Sequence, residues 1–197
     1  MGGSPAQLGY GDGDEATALG FGPDDQNKYP TTYFRNTFNI ADVTAFEDAS
    51  FWLPRDDAAA VYLNGVEVYR DTNLPAGALF SDYGTAVGTE NGETEFSVAT
   101  ALLQNGDNTI AVEINQAGGT SSDISFDLEL SLGQDPSPTG GGSELIAIRA
   151  DWKFMDEGSD QGMTWQDLFF DDSAWGEGPA ELGYGDGDNN GPTTARR

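Results

Sequence analysis

The chain contains one ten-residue phrase twice. Residues 5–14 read PAQLGYGDGD and residues 179–188 read PAELGYGDGD, identical at nine of ten positions. The copies stand 174 residues apart (5 to 179) in a chain of 197. That period is too long for a small solenoid repeat and matches the length of a whole domain. The chain therefore holds barely more than one period. It is expected to begin partway through one copy of a module and to stop partway through the next. Residues 133–143, GQDPSPTGGGS, are rich in Gly, Pro and Ser without a hydrophobic pattern, which is a linker composition. The expected organisation is a sandwich body over 1–132, a linker over 133–143, and the opening segment of the same module over 144–197.

Within the body the hydrophobic period is mostly two. Thr32 to Ile40 places Phe34, Phe38 and Ile40 on one face. Ser50 to Leu53 is a short apolar piece that Pro54 is expected to stop. Ala59 to Leu63 and Val66 to Arg70 flank Asn64-Gly65, a pair that accepts positive φ and signals a hairpin. Glu95 to Ala99 and Thr109 to Gln116 read as further strands. Asp123 to Leu132 alternates Ile124, Phe126, Leu128 and Leu130 against Ser125, Asp127 and Glu129, and the acidic residues among these are expected to face solvent. Val98 to Leu103 is the one short helical candidate. After the linker, Leu145 to Ile148 and Trp152 to Phe154 read as strands, and Trp165 to Trp175 as an aromatic loop or short turn. Many short strands with Gly-rich turns predict an all-β fold, a jelly-roll β-sandwich.

Composition narrows the chemistry. Thirty-four acidic residues face eight basic ones, a net charge of -26. Such a surface repels nucleic acid and anionic membranes and attracts cations. The sequence has no Cys and no His. Disulfides, thiolate nucleophiles, Ser-His-Asp triads and the usual zinc ligands are therefore absent. No apolar run is long enough to insert in a membrane as a helix. The opening Met-Gly-Gly-Ser has none of the regions of a signal peptide and reads as an arbitrary start.

The stretch from Trp152 to Asp188 resembles the opening of a β-sandwich module of large secreted bacterial proteins. TTYFRNTFNI (31–40), RDDAAAVYLNGVEVYR (55–70), NLPAG (73–77), GDNTIAVEINQ (106–116) and SSDISFDLELSLG (121–133) follow that module's order. The module looks like the jelly rolls of galactose-binding-like domains and carbohydrate-binding modules. The resemblance implies an extracellular bacterial protein and a role in binding or architecture, not catalysis. It also implies a permuted phase: a complete module would run from about Glu144 to Asp188 and continue as residues 15–132 do.

The body alone would then lack its opening strands, with an exposed core and an unpaired sheet edge. Trp152, Phe154, Trp165, Phe169, Phe170 and Trp175 are the residues expected to fill that gap, in the same chain or in the next subunit. Completion in the next subunit is donor-strand complementation and generates a head-to-tail filament or ring. Two copies of LGYGDGD compete for one slot per sandwich.

Asp56-Asp57 precedes the VYLNG hairpin, and paired carboxylates at a loop tip suit a hard cation such as calcium. DDxxxVYLNG also resembles the hairpin of PA14-like lectin domains, which implies calcium and sugar binding there. The sequence departs from that pattern with Ala58 where Gly is usual. The plainer alternative has Asp57 capping backbone N–H groups. Asp123 is a further ligand candidate. The GDGD acids Asp12, Asp14, Asp186 and Asp188 read as Gly-rich turns without EF-hand spacing, and Asp171-Asp172-Ser173 as a turn. Tyr69, Tyr83 and Tyr29 lie in or near loops where a sugar ring could stack, or where they pack on the rim. Two functions follow: a structural subunit of an extracellular filament or surface array, contacting copies of itself or neighbouring repeats, or a calcium-dependent carbohydrate-binding module with a glycan partner.

Overall fold

Where the sequence alternates, strands form. A computed structural model describes residues 16–85, 92–134, 143–180 and 182–184. The strands are β1 (Thr17–Ala18), β2 (Thr31–Ile40), β3 (Phe46–Asp56), β4 (Ala58–Leu63), β5 (Val66–Arg70), β6 (Gly92–Ala99), β7 (Gly106–Asn115), β8 (Ile124–Phe126), β9 (Glu129–Gln134), β10 (Ser143–Ile146), β11 (Asp151–Met155), β12 (Gly176–Pro179) and β13 (Leu182–Tyr184). They make two sheets, and the fold is an all-β sandwich. One sheet runs β1–β13–β8–β3–β9–β10, with β6 on the other side of β3. The second runs β12–β11–β2–β7–β4–β5.

Phe34, Phe38 and Ile40 of β2 enter the core between the sheets, with Val61, Leu63, Ile110, Val112 and Ile114 from the same sheet and Phe51, Leu53, Phe126 and Leu130 opposite. The β4–β5 hairpin turns on Asn64 and Gly65, both at positive φ (50° and 81°). Thr100–Leu102 is a single 3-10 turn where the helical candidate lies. Among the described residues no helix is long and apolar enough to cross a membrane.

The tail belongs to the same two sheets. β10 pairs with β9, β11 lies between β2 and β12, and β13 pairs with β8. Trp152 on β11 is 0% exposed and meets Phe126 edge-on at 4.9 Å. The C-terminal copy of the repeated phrase thus supplies β13, and β1 runs parallel beside it. The N-terminal copy, with Asp12 and Asp14, lies outside the described residues, as do Asp186, Asp188 and residues 135–142.

Two sequence expectations need correction. Pro54 does not end its strand: β3 runs on to Asp56. The carbonyl of Pro54 accepts the Asp127 N–H at 3.2 Å, on the side where β8 gives way to β9. Groups of one residue point to the same side of a strand, so the N–H that proline lacks falls at that gap and no ladder bond is lost. The same gap breaks the run from Asp123 to Leu132 into β8 and β9. There Asp127 turns inward, buried, and accepts from the N–H groups of Leu128 (2.8 Å) and Arg149 (3.0 Å). Ser125 is buried as well.

Around β4 the six-stranded sheet is covered on both faces. β4 reads AAAVYL with every residue buried, which is why it shows no polar alternation. Its outer face carries a second small core of Tyr33, Ala58, Ala60, Tyr62, Leu74, Ala111, Trp165 and Trp175. The alanines leave room for Trp165, whose ring lies 4.7 Å from Tyr33 and 5.5 Å from Tyr62.

Candidate functional site

Asp57 is the single residue between β3 and β4, and the Asp56-Asp57 peptide bond is cis. Pairing of Asp56 with Ser125 of β8 draws it inward. Asp57 Oδ2 accepts from the Ala117 N–H at 2.6 Å and the Ser121 hydroxyl at 3.0 Å. The Ser122 hydroxyl donates to Asp123 Oδ1. All three aspartates are buried. Lys28, also buried, donates from Nζ to the carbonyls of Ser121 and Ser122. An ammonium therefore already occupies the carbonyls of the loop that Asp57 braces. Among the described residues no group of three or more His, Cys, Asp or Glu side chains could hold a metal ion.

Tyr83 and Tyr69 use their hydroxyls internally. Tyr83 donates to the Lys28 carbonyl at 2.8 Å. Tyr69 stacks on Phe96 at 4.9 Å, donates to Asp71 Oδ1 at 2.5 Å and accepts from Arg55 at 3.1 Å. Burial works against the Asp71 charge, but Arg55, Tyr69 and the Ala59 N–H outweigh it and hold the carboxyl below the usual range. Tyr29 lies against Gly22 and Gly158, both at positive φ. Under the second core, burial raises Glu113 despite Arg70 and a hydrogen bond from Tyr62.

The tail aromatics divide into three groups. Trp152 lies in the main core and Phe154 packs against it. Trp165 and Trp175 fill the second core, with Phe170 against it. Phe169 is instead 94% exposed, so it is not a core residue. The loop that presents it is braced by Arg35, only 1% exposed. Arg35 donates to Asp172 Oδ2 at 2.7 Å, to the Trp165 carbonyl, and to the Asp167 carbonyl at 3.1 Å. Its guanidinium also lies over the Phe170 ring, 5.2 Å from the centroid. Phe169 and Phe170, with Thr164, Asp167 and Asp171, line an open depression of about 610 Å³. The Ser173 hydroxyl and N–H hold the Asp171 carboxyl below its usual range.

A second concave surface lies on the outer face of the other sheet. Register places Trp52 between Glu95 of β6 and Glu129 of β9, and Ser50 between Ser97 and Ser131. Together with Phe51 and Phe96 these line a pocket of about 220 Å³. Hydropathy along the chain marks Trp52 only as part of a short apolar piece. The signal was present: in Ser50-Phe51-Trp52-Leu53 a period of two sends Trp52 away from its buried neighbours Phe51 and Leu53.

No protein-family model and no curated protein matches the chain. Solved structures do. An α-L-rhamnosidase of Streptomyces avermitilis, complexed with L-rhamnose, superposes with a TM-score of 0.56 and 22% identity, over 89% of this chain and 15% of that one. A lectin of Pleurotus ostreatus, in complex with GalNAc, gives 0.51 and 18%, over 80% of this chain and 38% of the lectin. A rhamnosidase of Bacillus sp. GL1 gives 0.51 and 18%, over 82% and 18%. The chain spans well under half the length of each. At these identities the likeness is one of fold: the chain is a β-sandwich similar to a portion of those rhamnosidases and of that lectin.

Proposed function

We propose that the chain is a non-catalytic, extracellular module that binds glycans. Fold likeness alone does not carry a function; the observation that carries this one is the display of Phe169. An aromatic ring 94% exposed on a loop anchored by a buried arginine offers a stacking face at little ordering cost. Asp167, Asp171 and Thr164 stand beside it as hydrogen-bonding partners for sugar hydroxyls. The lectin and rhamnosidase likenesses support the class, and the small share of each rhamnosidase that is matched supports a non-catalytic part. A glycan array with and without calcium tests the reading. Binding of at least one glycan, weakened about three- to tenfold in Phe169→Ala, is expected for loss of one stacking ring. A blank array for the unaltered protein overturns it.

Head-to-tail association is a second reading, supported by the duplicated phrase. β13 takes one LGY, and the chain carries two. An exchange of the two between subunits would link copies of the chain. Size-exclusion chromatography over a hundredfold concentration range decides: a monomer throughout rejects it.

A further inference from the structure

We propose a second ligand surface on the outer face of the seven-stranded sheet, centred on Trp52, that takes a neutral, unbranched glycan laid along the strands. The ligand class rests on the glycan-binding reading above; the surface rests on different residues. Two cross-strand rows build it: Glu95–Trp52–Glu129 and Ser97–Ser50–Ser131. Glu95 and Ser97 are exposed, and Trp52, Ser50, Glu129 and Ser131 are partly exposed. The indole N–H is directed to Glu93 Oε2 at 3.4 Å, which steadies the ring edge. The hydroxyls of Ser50 and Ser97 lie 3.1 Å apart.

Each row has a chemical role. The Trp52 ring meets the apolar C–H face of a pyranose, as aromatic surfaces do in sugar sites. Glu95 and Glu129 lie one strand to either side, about 5 Å away along the hydrogen-bonding direction, within reach of ring hydroxyls. The serine row follows two residues along, about 7 Å on, where a second sugar unit meets short side chains able to donate and accept. Longer side chains in that row would fill the depression. The two glutamates wall the sides, which disfavours branches. Carboxylates around the platform, on a chain of net charge -26, reject uronate or sulfated chains by like-charge repulsion. The pocket, about 220 Å³, is smaller than the ~300–1,000 Å³ of drug-sized ligand sites, so it seats one or two sugar units of a longer chain.

Tryptophan emission offers a direct probe. Of four tryptophans, Trp152, Trp165 and Trp175 are buried and Trp52 is partly exposed. Acrylamide quenching therefore reports chiefly on Trp52. The titrants are soluble mixed-linkage β-glucan and linear mannan as neutral chains, and alginate as the acidic one, with affinity electrophoresis on the same polymers. Protection from quenching and retardation by at least one neutral polymer, and by neither measure with alginate, is expected. Trp52→Ala and Ser97→Arg should each weaken retardation about tenfold or more; the second fills the depression from an exposed position without touching the core. Retardation by a neutral polymer that both variants retain and Phe169→Ala loses overturns this surface and leaves the glycan-binding reading standing. Preference for alginate also overturns it. No retardation by any polymer, with a blank glycan array, overturns both.

Discussion

Arg35 and Asp172 are 137 positions apart in sequence and 2.7 Å apart in the fold, Nε to Oδ2. The pair ties the second strand of the sandwich to a loop from the far end of the chain. Arg35 also serves the carbonyls of Trp165 and Asp167, so its removal strands several acceptors at once. Arg35→Met is expected to lower unfolding free energy by about 3–5 kcal/mol, as breaking buried charge networks does. Asp172→Asn leaves the 1% exposed Arg35 cation without its counter-charge but keeps an oxygen acceptor and both carbonyl partners, so it should cost less, about 1–3 kcal/mol. Urea denaturation of both variants checks the asymmetry.

Trp152 fills the main core, yet among the described residues its buried Nε1–H has no hydrogen-bond partner. Trp152→Ala is expected to cost about 3–5 kcal/mol, a large share of the ~5–15 kcal/mol that holds a domain. Trp152→Phe removes volume but also the orphaned donor, and should cost under about 2 kcal/mol. Near-ultraviolet circular dichroism with urea melts distinguishes the two.

Burial pushes the Asp127 carboxyl up to about 6, against hydrogen bonds from the Leu128 and Arg149 N–H groups. Between its ordinary value of 3.8 and about 6 the native state holds more protons than the unfolded chain, so this group's contribution to stability falls as pH rises. The penalty is complete above the folded value, at roughly 3 kcal/mol for a shift of about two units. Asp71, held low, acts in the opposite sense. The urea midpoint of the unaltered protein minus that of Asp127→Asn, measured from pH 4 to 8, should therefore fall as pH rises through that window and level off above it.

Asp57 carries the Ala117 N–H and the Ser121 hydroxyl. Asp57→Ala leaves both donors without this acceptor and is expected to cost about 1–3 kcal/mol. Because Lys28 already supplies a cation to the adjoining carbonyls, calcium should leave the Tm of the unaltered protein unchanged and should not restore the variant. A calcium-dependent rise in Tm that vanishes in Asp57→Ala would instead assign a metal to the pair.

Local pattern made much of the sandwich legible. Period-two runs such as Thr31–Ile40 and Gly106–Asn115 became strands with their apolar faces inward, because alternation along a strand follows from backbone geometry alone. Asn64-Gly65 turned the chain because few other residues accept two successive positive φ angles. Trp152 entered the core, as a large aromatic on an alternating segment should.

Long-range neighbours decided the rest. Pro54 stays within a strand only because β8 and β9 leave a gap beside it. Asp127, which the alternation of its segment predicts to face solvent, is buried because the same gap presents it with the N–H groups of Leu128 and Arg149. Phe169 and Phe170 are adjacent and identical in type, yet one is in solvent and the other packs under Arg35. The row of Glu95, Trp52 and Glu129 exists only in the register of three strands distant in sequence. By itself the sequence determined which long alternating segments are strands and which of their faces carry the apolar core residues, since both follow from neighbours along the chain. The tertiary fold alone decided which polar groups find partners and which aromatics are left for a ligand, since both depend on what other segments bring beside them.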